Sequence, residues 1–243
     1  MSEDVNGDAK ETKIQKLLHR LLNDKQRGCS EILSDSLRLL EEVEKESRER
    51  TVEFARRLAN AHSGMEGFVK VMEEVARRGV KAVRREVERA NEETAKALSE
   101  LTEGKVIVTI SRSGIVERAL RLGRPAKVYI LISRPGEEGR LTVERLKEFI
   151  DVELVEDAEM GAFVKKSGLV VCGADAISKL GFVNKVGTLP LMLTAKYFGV
   201  KRFVASPLYK LVSSINAVHP FEFVESKLAE LLTEKGFTEW EGL

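Results

Sequence analysis

The hydrophobic period changes near Lys105, and no other feature of the chain constrains its fold more. From Lys13 to about Leu101 there is no proline, and apolar residues recur three and four apart. Ile14, Leu17, Leu18, Leu21 and Leu22 make one stripe of this kind, and Leu33, Leu37, Leu40 and Val43 make another. That spacing puts each set on one face of an α-helix. Breaks are offered at Ser63-Gly64 and Arg78-Gly79. Residues 80–101 are heavily charged with a thin apolar stripe, which predicts a long helix buried on one face only.

After Lys105, short apolar runs alternate with helix-period segments. The pattern predicts strands over 105–110, 126–132, 152–155, 169–172 and 202–205. It predicts helices over 113–122, 142–149, 158–166, 187–198 and 222–234. Strands that alternate with helices imply right-handed crossovers and a mostly parallel sheet, an α/β fold. No period of 20–50 residues recurs, which excludes a solenoid. The expected organisation is a disordered tail over 1–12, a helical N-terminal domain over 13–103 and an α/β domain over 104–243.

Forty basic and thirty-nine acidic residues nearly cancel, so no global field favours nucleic acid or an anionic membrane, and neither is an expected partner. Cys29 and Cys172 lie far apart, with neither zinc spacing nor a disulfide framework, and no metal or cofactor is expected. Residues 1–8 are acidic and polar, unlike a signal peptide, and no apolar run approaches the roughly 20 residues of a membrane helix. A cytoplasmic location is expected. His19, His62 and His219 are scattered without ligand spacing and are assigned to surface or packing roles.

A parallel sheet holds its ligands beyond the carboxyl ends of its strands, so the polar loops there are the candidate site. The first loop carries Ser111, Arg112 and Ser113 without a G-x-G-x-x-G pattern. Two hydroxyls and a guanidinium at a helix start suit an anion, although Ser113 alone would serve as a helix cap. The second loop carries Arg134 and Arg140, two cations able to grip phosphate in bidentate fashion. The third segment places Asp175 just past a strand, and Asn184 and Lys185 just before a helix. An aspartate there is commonly a turn residue, but an amide and an ammonium close by argue for a ligand site. Lysine beside helix-opening N–H groups suits a phosphate.

At Gly173-Ala-Asp175, at Asn184-Lys-Val-Gly-Thr188 and at Ser133-Arg-Pro135 with Gly139-Arg140, the chain resembles the translation initiation factor 2B alpha/beta/delta family. Arg27-Gly-Cys-Ser-Glu-Ile32 resembles its N-terminal R-G motif more faintly. Relatives include methylthioribose-1-phosphate isomerase and archaeal ribose-1,5-bisphosphate isomerase. The resemblance implies a helical domain followed by a Rossmann-like domain, and an archaeal-type protein that forms a homodimer or higher oligomer. It implies initiation factor 2, through its alpha subunit, as a protein partner, and a phosphorylated small molecule as ligand. It adds Arg27 and Gly28 to the binding residues Ser111, Arg112, Ser113, Arg134, Arg140, Asp175, Asn184 and Lys185.

In those isomerases a cysteine in a T-x-C-N-x-G loop and the aspartate of G-A-D carry the chemistry. Here the loop reads T-I-S-R-S-G, with Ser111 at the cysteine position and Arg112 at the asparagine position. A serine hydroxyl lacks a thiol's acidity, and no histidine lies near in sequence to activate it. Glu138 stands where the isomerases carry a glutamine, and an extra carboxylate should repel phosphate. The expected function is therefore binding of a sugar phosphate or nucleoside monophosphate, with action through protein contacts. The alternative is an aldose–ketose isomerase in which Asp175 is the principal acid/base, with Ser111 or a water as its partner.

Overall fold

Helical spacing and the change of period both become architecture in the computed structural model, which describes residues 2–24, 28–215 and 217–243, with side chains from residue 10 onward. The chain divides into two compact units, 1–87 and 88–243.

The first unit contains α1 (Ser2–Leu22), α2 (Cys29–Glu44), α3 (Arg48–Ala61), α4 (Glu66–Arg78) and the start of α5 (Val80–Thr102). Leu18, Leu21, Leu33, Leu37, Leu40 and Val43, drawn from the two stripes, are all buried, together with Phe54, Leu58, Phe68 and Val75. Ser47 caps α3 by accepting from Arg50 N at 3.2 Å. Glu44 receives the first amide of α5, Val80 N, at 3.1 Å, and pairs with Arg48 at 2.7 Å. The helix breaks fall where Ser63-Gly64 and Gly79 stand, and Gly79 takes a φ of 95°. The tail expected over 1–12 is instead helical backbone from Ser2.

The unit boundary lies inside α5 rather than at 103/104. The physical reason is burial: Ala95 and Leu98 of α5 pack in one cluster with Ile107, Ile115 and Leu120. The second unit then runs β1 (Val106–Thr109), α6 (Gly114–Gly123), β2 (Lys127–Leu131), α7 (Glu138–Leu146), β3 (Val152–Val155), α8 (Met160–Lys165) and β4 (Leu169–Gly173). It continues with β5 (Ala176–Ser178), β6 (Gly181–Lys185), α9 (Thr188–Tyr197), β7 (Lys201–Ala205), β8 (Phe221–Glu225), β9 (Glu230–Thr233) and β10 (Gly236–Thr238). The main sheet has seven strands in the order β10-β9-β7-β4-β1-β2-β3, parallel except for the β9–β10 hairpin. Val108, Val170, Cys172 and Val204 face one core cluster, while Ile107, Val128, Val171 and Phe203 face the other. Burial on both faces is why these strands read as unbroken apolar runs.

Three further expectations are corrected. The helix predicted over 222–234 is two strands, β8 and β9, joined by a short 3₁₀ turn at Ser226–Leu228. The segment 175–185, expected as a polar loop, contains β5 and β6, which form a three-stranded antiparallel sheet with β8. Helix propensities differ by only about 0.7 kcal/mol per ordinary residue. Full burial of Phe182 or Val224, with β8 paired to β6, is worth about 1.5–3 kcal/mol for each side chain. Long-range pairing therefore overrides the local preference. The helix expected over 142–149 also starts earlier, at Glu138.

Candidate ligand site at the carboxyl edge of the sheet

β4, β1 and β2 are neighbours and parallel, so the segments that follow them open on the same edge. Gly173 brings the first two together: a Cβ there would stand 2.5 Å from Ser113 Oγ, so only glycine lets the end of β4 approach the start of α6 this closely. The loop after β1 is tied to the loop after β2 by Ser111 N donating to Ser133 Oγ at 2.6 Å. Thr142 Oγ1 on α7 also donates to Ser111 O at 3.3 Å. Ser111 and Ser133 both hold left-handed backbone, with φ of 62° and 69°. Asp157 accepts from the backbone amides of Ser133 and Arg134, each at 2.8 Å, and so fixes the start of the second loop.

Asp175 is tied to the small sheet through its amide, which donates to Val183 O at 2.8 Å. Asn184 and Lys185 end β6, paired with Glu222 and Phe221 of β8. Both are buried, and Asn184 Nδ2 donates to Thr188 Oγ1 at 2.9 Å, whose hydroxyl donates in turn to Lys185 O at 2.6 Å. The Lys185 side chain is only 4% exposed, and its Nζ lies 2.6 Å from Glu138 Oε1, which brings β6 to the loop after β2. Gly136 lies beside this pair: a Cβ there would stand 2.4 Å from Glu138 Oε1 and 3.0 Å from Lys185 Nζ. The other Glu138 oxygen, Oε2, is buried without a hydrogen-bond partner among the described residues.

Lys210 was not expected from sequence. It is buried beyond β7, in the 3₁₀ turn Leu208–Lys210, and its Nζ donates to Ala174 O at 2.7 Å, next to Asp175. β7 lies beside β4, so this is a fourth loop of the same edge. The available signal was a lysine five residues past a predicted strand end, in Ser206-Pro-Leu-Tyr-Lys210.

Other expected ligands are committed elsewhere. The Arg112 side chain is buried, with Nε 3.7 Å from Glu117 Oε1, and Glu117 also lies 3.5 Å from Arg145. Ser113 caps α6, accepting from Val116 N at 3.4 Å. Arg134 and Arg140 are half-exposed and both bind Glu137, at 2.6 and 2.7 Å, and Arg134 also reaches Glu156 at 3.4 Å. The hydrogen bond from Arg140 holds the Glu137 carboxyl below the usual carboxylate range. Gly28 belongs to the first unit, where its carbonyl accepts from Glu31 N at 3.1 Å at the start of α2. Arg27 lies outside the described residues. Burial, and then the neighbouring Asp175 charge, push the Cys172 thiol far above its ordinary range, so it holds no thiolate near neutrality. Among the described residues no helix is long and apolar enough to cross a membrane.

The arrangement is a buried ammonium, a buried amide and a half-buried carboxylate at the carboxyl edge of a parallel sheet. Comparison with known proteins places the chain as a whole. The model of the initiation factor 2 subunit family matches residues 8–237. A Pyrococcus furiosus protein named as eIF-2B subunit 2-like is 30% identical over 236 residues, covering 89% of this chain and 85% of that one. The ribose 1,5-bisphosphate isomerase of Methanocaldococcus jannaschii is 34% identical over 116 residues, covering 45% of this chain and 38% of the isomerase. Among solved structures, the Pyrococcus horikoshii OT3 translation initiation factor eIF-2B superposes with a TM-score of 0.81 at 21% identity, covering 93% of this chain and 96% of that one. The family match over residues 8–237 and the relative similar over most of both chains agree with the fold: this chain is a member of the initiation factor 2 subunit family.

Proposed function

We propose that the chain binds a sugar phosphate or nucleoside monophosphate at the carboxyl edge of its sheet and acts through protein contacts rather than turnover. The observation that carries this reading is the pairing of a retained polar site with the lack of a usable thiol. Lys185, Asn184 and Lys210 are buried around the segment that bears Asp175, each held by an ion pair or hydrogen bond within the chain, so the polar groups of this edge are positioned in advance of any guest. Position 111 is serine, and both cysteines are buried, with Cys172 far from ionising. The expected assembly is a homodimer or higher oligomer, and the expected protein partner is the alpha subunit of initiation factor 2. Exposed Leu193 and Tyr197 on α9 offer an apolar surface for such contacts.

Isothermal titration of ribose 5-phosphate and AMP into the wild type and Lys185→Ala tests the site. Binding is expected in the wild type and a large loss in the variant, and unchanged affinity refutes the placement. A second reading, an aldose–ketose isomerase with Asp175 as acid/base, is favoured by the similarity to the ribose 1,5-bisphosphate isomerase named above. NMR of the protein with ribose 1,5-bisphosphate and methylthioribose 1-phosphate separates the two. Ketose formation that vanishes in Asp175→Asn would establish the enzyme.

A further inference from the structure

The Glu138–Lys185 corner bears on what kind of guest the site takes. Lysine at a sheet edge ordinarily offers its charge to an incoming phosphate. Here that charge faces a carboxylate of the same chain, 2.6 Å away, with the lysine side chain 4% and the glutamate side chain 16% exposed. Gly136 lies against the same two atoms, where an added Cβ would crowd the pair. A phosphate brought to Lys185 would have to displace Glu138 or stand against it, two anions with little water between them.

Glu138 Oε2 gives the second half of the argument. It is buried and has no hydrogen-bond partner among the described residues. Buried carboxylate oxygens are almost always satisfied, and an exception in a native site calls for a donor from elsewhere. A carboxylate accepts and does not donate, so the group that completes it carries an O–H or N–H. A sugar hydroxyl meets that need and a phosphate dianion does not.

Resting on the reading that this edge binds a phosphorylated sugar or nucleotide, we infer that Glu138 is a specificity-determining residue: it excludes phosphate from the Lys185 corner and receives a hydroxyl of the guest there, so the site takes a singly phosphorylated sugar or nucleoside and rejects a bisphosphate. Lys185 then serves to hold and neutralise Glu138 rather than to grip phosphate. Lys185→Ala still weakens binding, because it leaves the carboxylate bare against the guest.

The test is calorimetric titration of the full chain with ribose 1-phosphate, ribose 5-phosphate and ribose 1,5-bisphosphate. In the wild type the better monophosphate is expected to bind roughly tenfold or more tightly than the bisphosphate. Glu138→Gln removes the charge and keeps an acceptor oxygen. It should change monophosphate affinity only a few-fold while the bisphosphate gains roughly tenfold, and free phosphate should raise its melting temperature more than that of the wild type. Wild-type protein that binds the bisphosphate as tightly as the better monophosphate overturns the inference without any variant. A folded Glu138→Gln with an unmoved preference overturns it too, while monophosphate binding leaves the broader site standing. If neither these three sugars nor AMP binds either protein, the site itself is wrong and this inference falls with it.

Discussion

Replacing Glu138 by alanine strands the Lys185 ammonium where water scarcely reaches it. With that side chain 4% exposed, the pair belongs with buried ion pairs, for which loss of one partner costs about 3–5 kcal/mol. Glu138 itself keeps 16% exposure, and its removal opens space for water beside the ammonium, so the lower end, about 3 kcal/mol, is expected. At about 2–4 °C per kcal/mol for a chain of this size, the melting temperature should fall by roughly 6–12 °C. The assay is urea unfolding followed by the single tryptophan, Trp240, which is buried in the second unit and so reports on the unit that holds the pair. Glu138→Leu and Lys185→Met alone should each be similarly costly, because each leaves the other charge without its partner. The double variant Glu138→Leu, Lys185→Met should recover most of the loss, since apolar residues of similar volume replace buried pairs nearly neutrally. A coupling of about 2 kcal/mol or more between the two sites is expected from this cycle. If Glu138→Ala costs less than about 1 kcal/mol, the pair behaves as an exposed one and the burial argument is refuted.

Three further outcomes follow from the same geometry. Gly139→Ala should destabilise the second unit by about 3 kcal/mol or more, because the added Cβ would stand 1.9 Å from Leu131 O in the backbone of β2; a melting curve that matches the wild type would contradict this. Cys172 should resist a thiol reagent such as Ellman's at pH 8 until the protein is unfolded in urea, because burial and the Asp175 charge hold the thiol protonated; quick labelling of Cys172 in the native state would show the thiol to be accessible. Arg140→Ala should raise the Glu137 pKa, read by NMR titration of the carboxyl. A carboxyl held low in the folded state contributes stability above its unfolded pKa and loses it as pH falls through the folded value, so the variant should lose a small part of its acid dependence in that range. A Glu137 titration that does not move would mean that Arg140 does not hold it.

Much of the architecture was legible because it is local. The strands β1, β2, β3, β4 and β7 are short apolar runs, and each lies within a residue or two of its expected bounds. Ser113 is a helix cap in the structure, as its place before an apolar helix allows. The motif residues Asp175, Asn184 and Lys185 were visible as polar groups beside a strand and a helix. Their partners were not. Nothing local marks Glu138 as the counter-ion of a lysine 47 residues away, or Lys210 as the donor to Ala174. Arg112, Arg134 and Arg140 looked like a ready set of phosphate ligands, yet each faces a glutamate, Glu117 or Glu137. A cation is visible in sequence, but the anion that answers it is a matter of tertiary position.

The amino-acid order by itself determined the helical first region, the parallel sheet and the edge of that sheet at which polar groups collect. Those follow from periodicity, which a few neighbouring residues suffice to express. The tertiary structure alone decided that 222–234 would be strands, that β6 would pair with β8, and that Lys185 would be neutralised from within the chain. Strand pairing and the burial of charge depend on which distant segment arrives alongside, and that is settled by the energy of the whole packed unit.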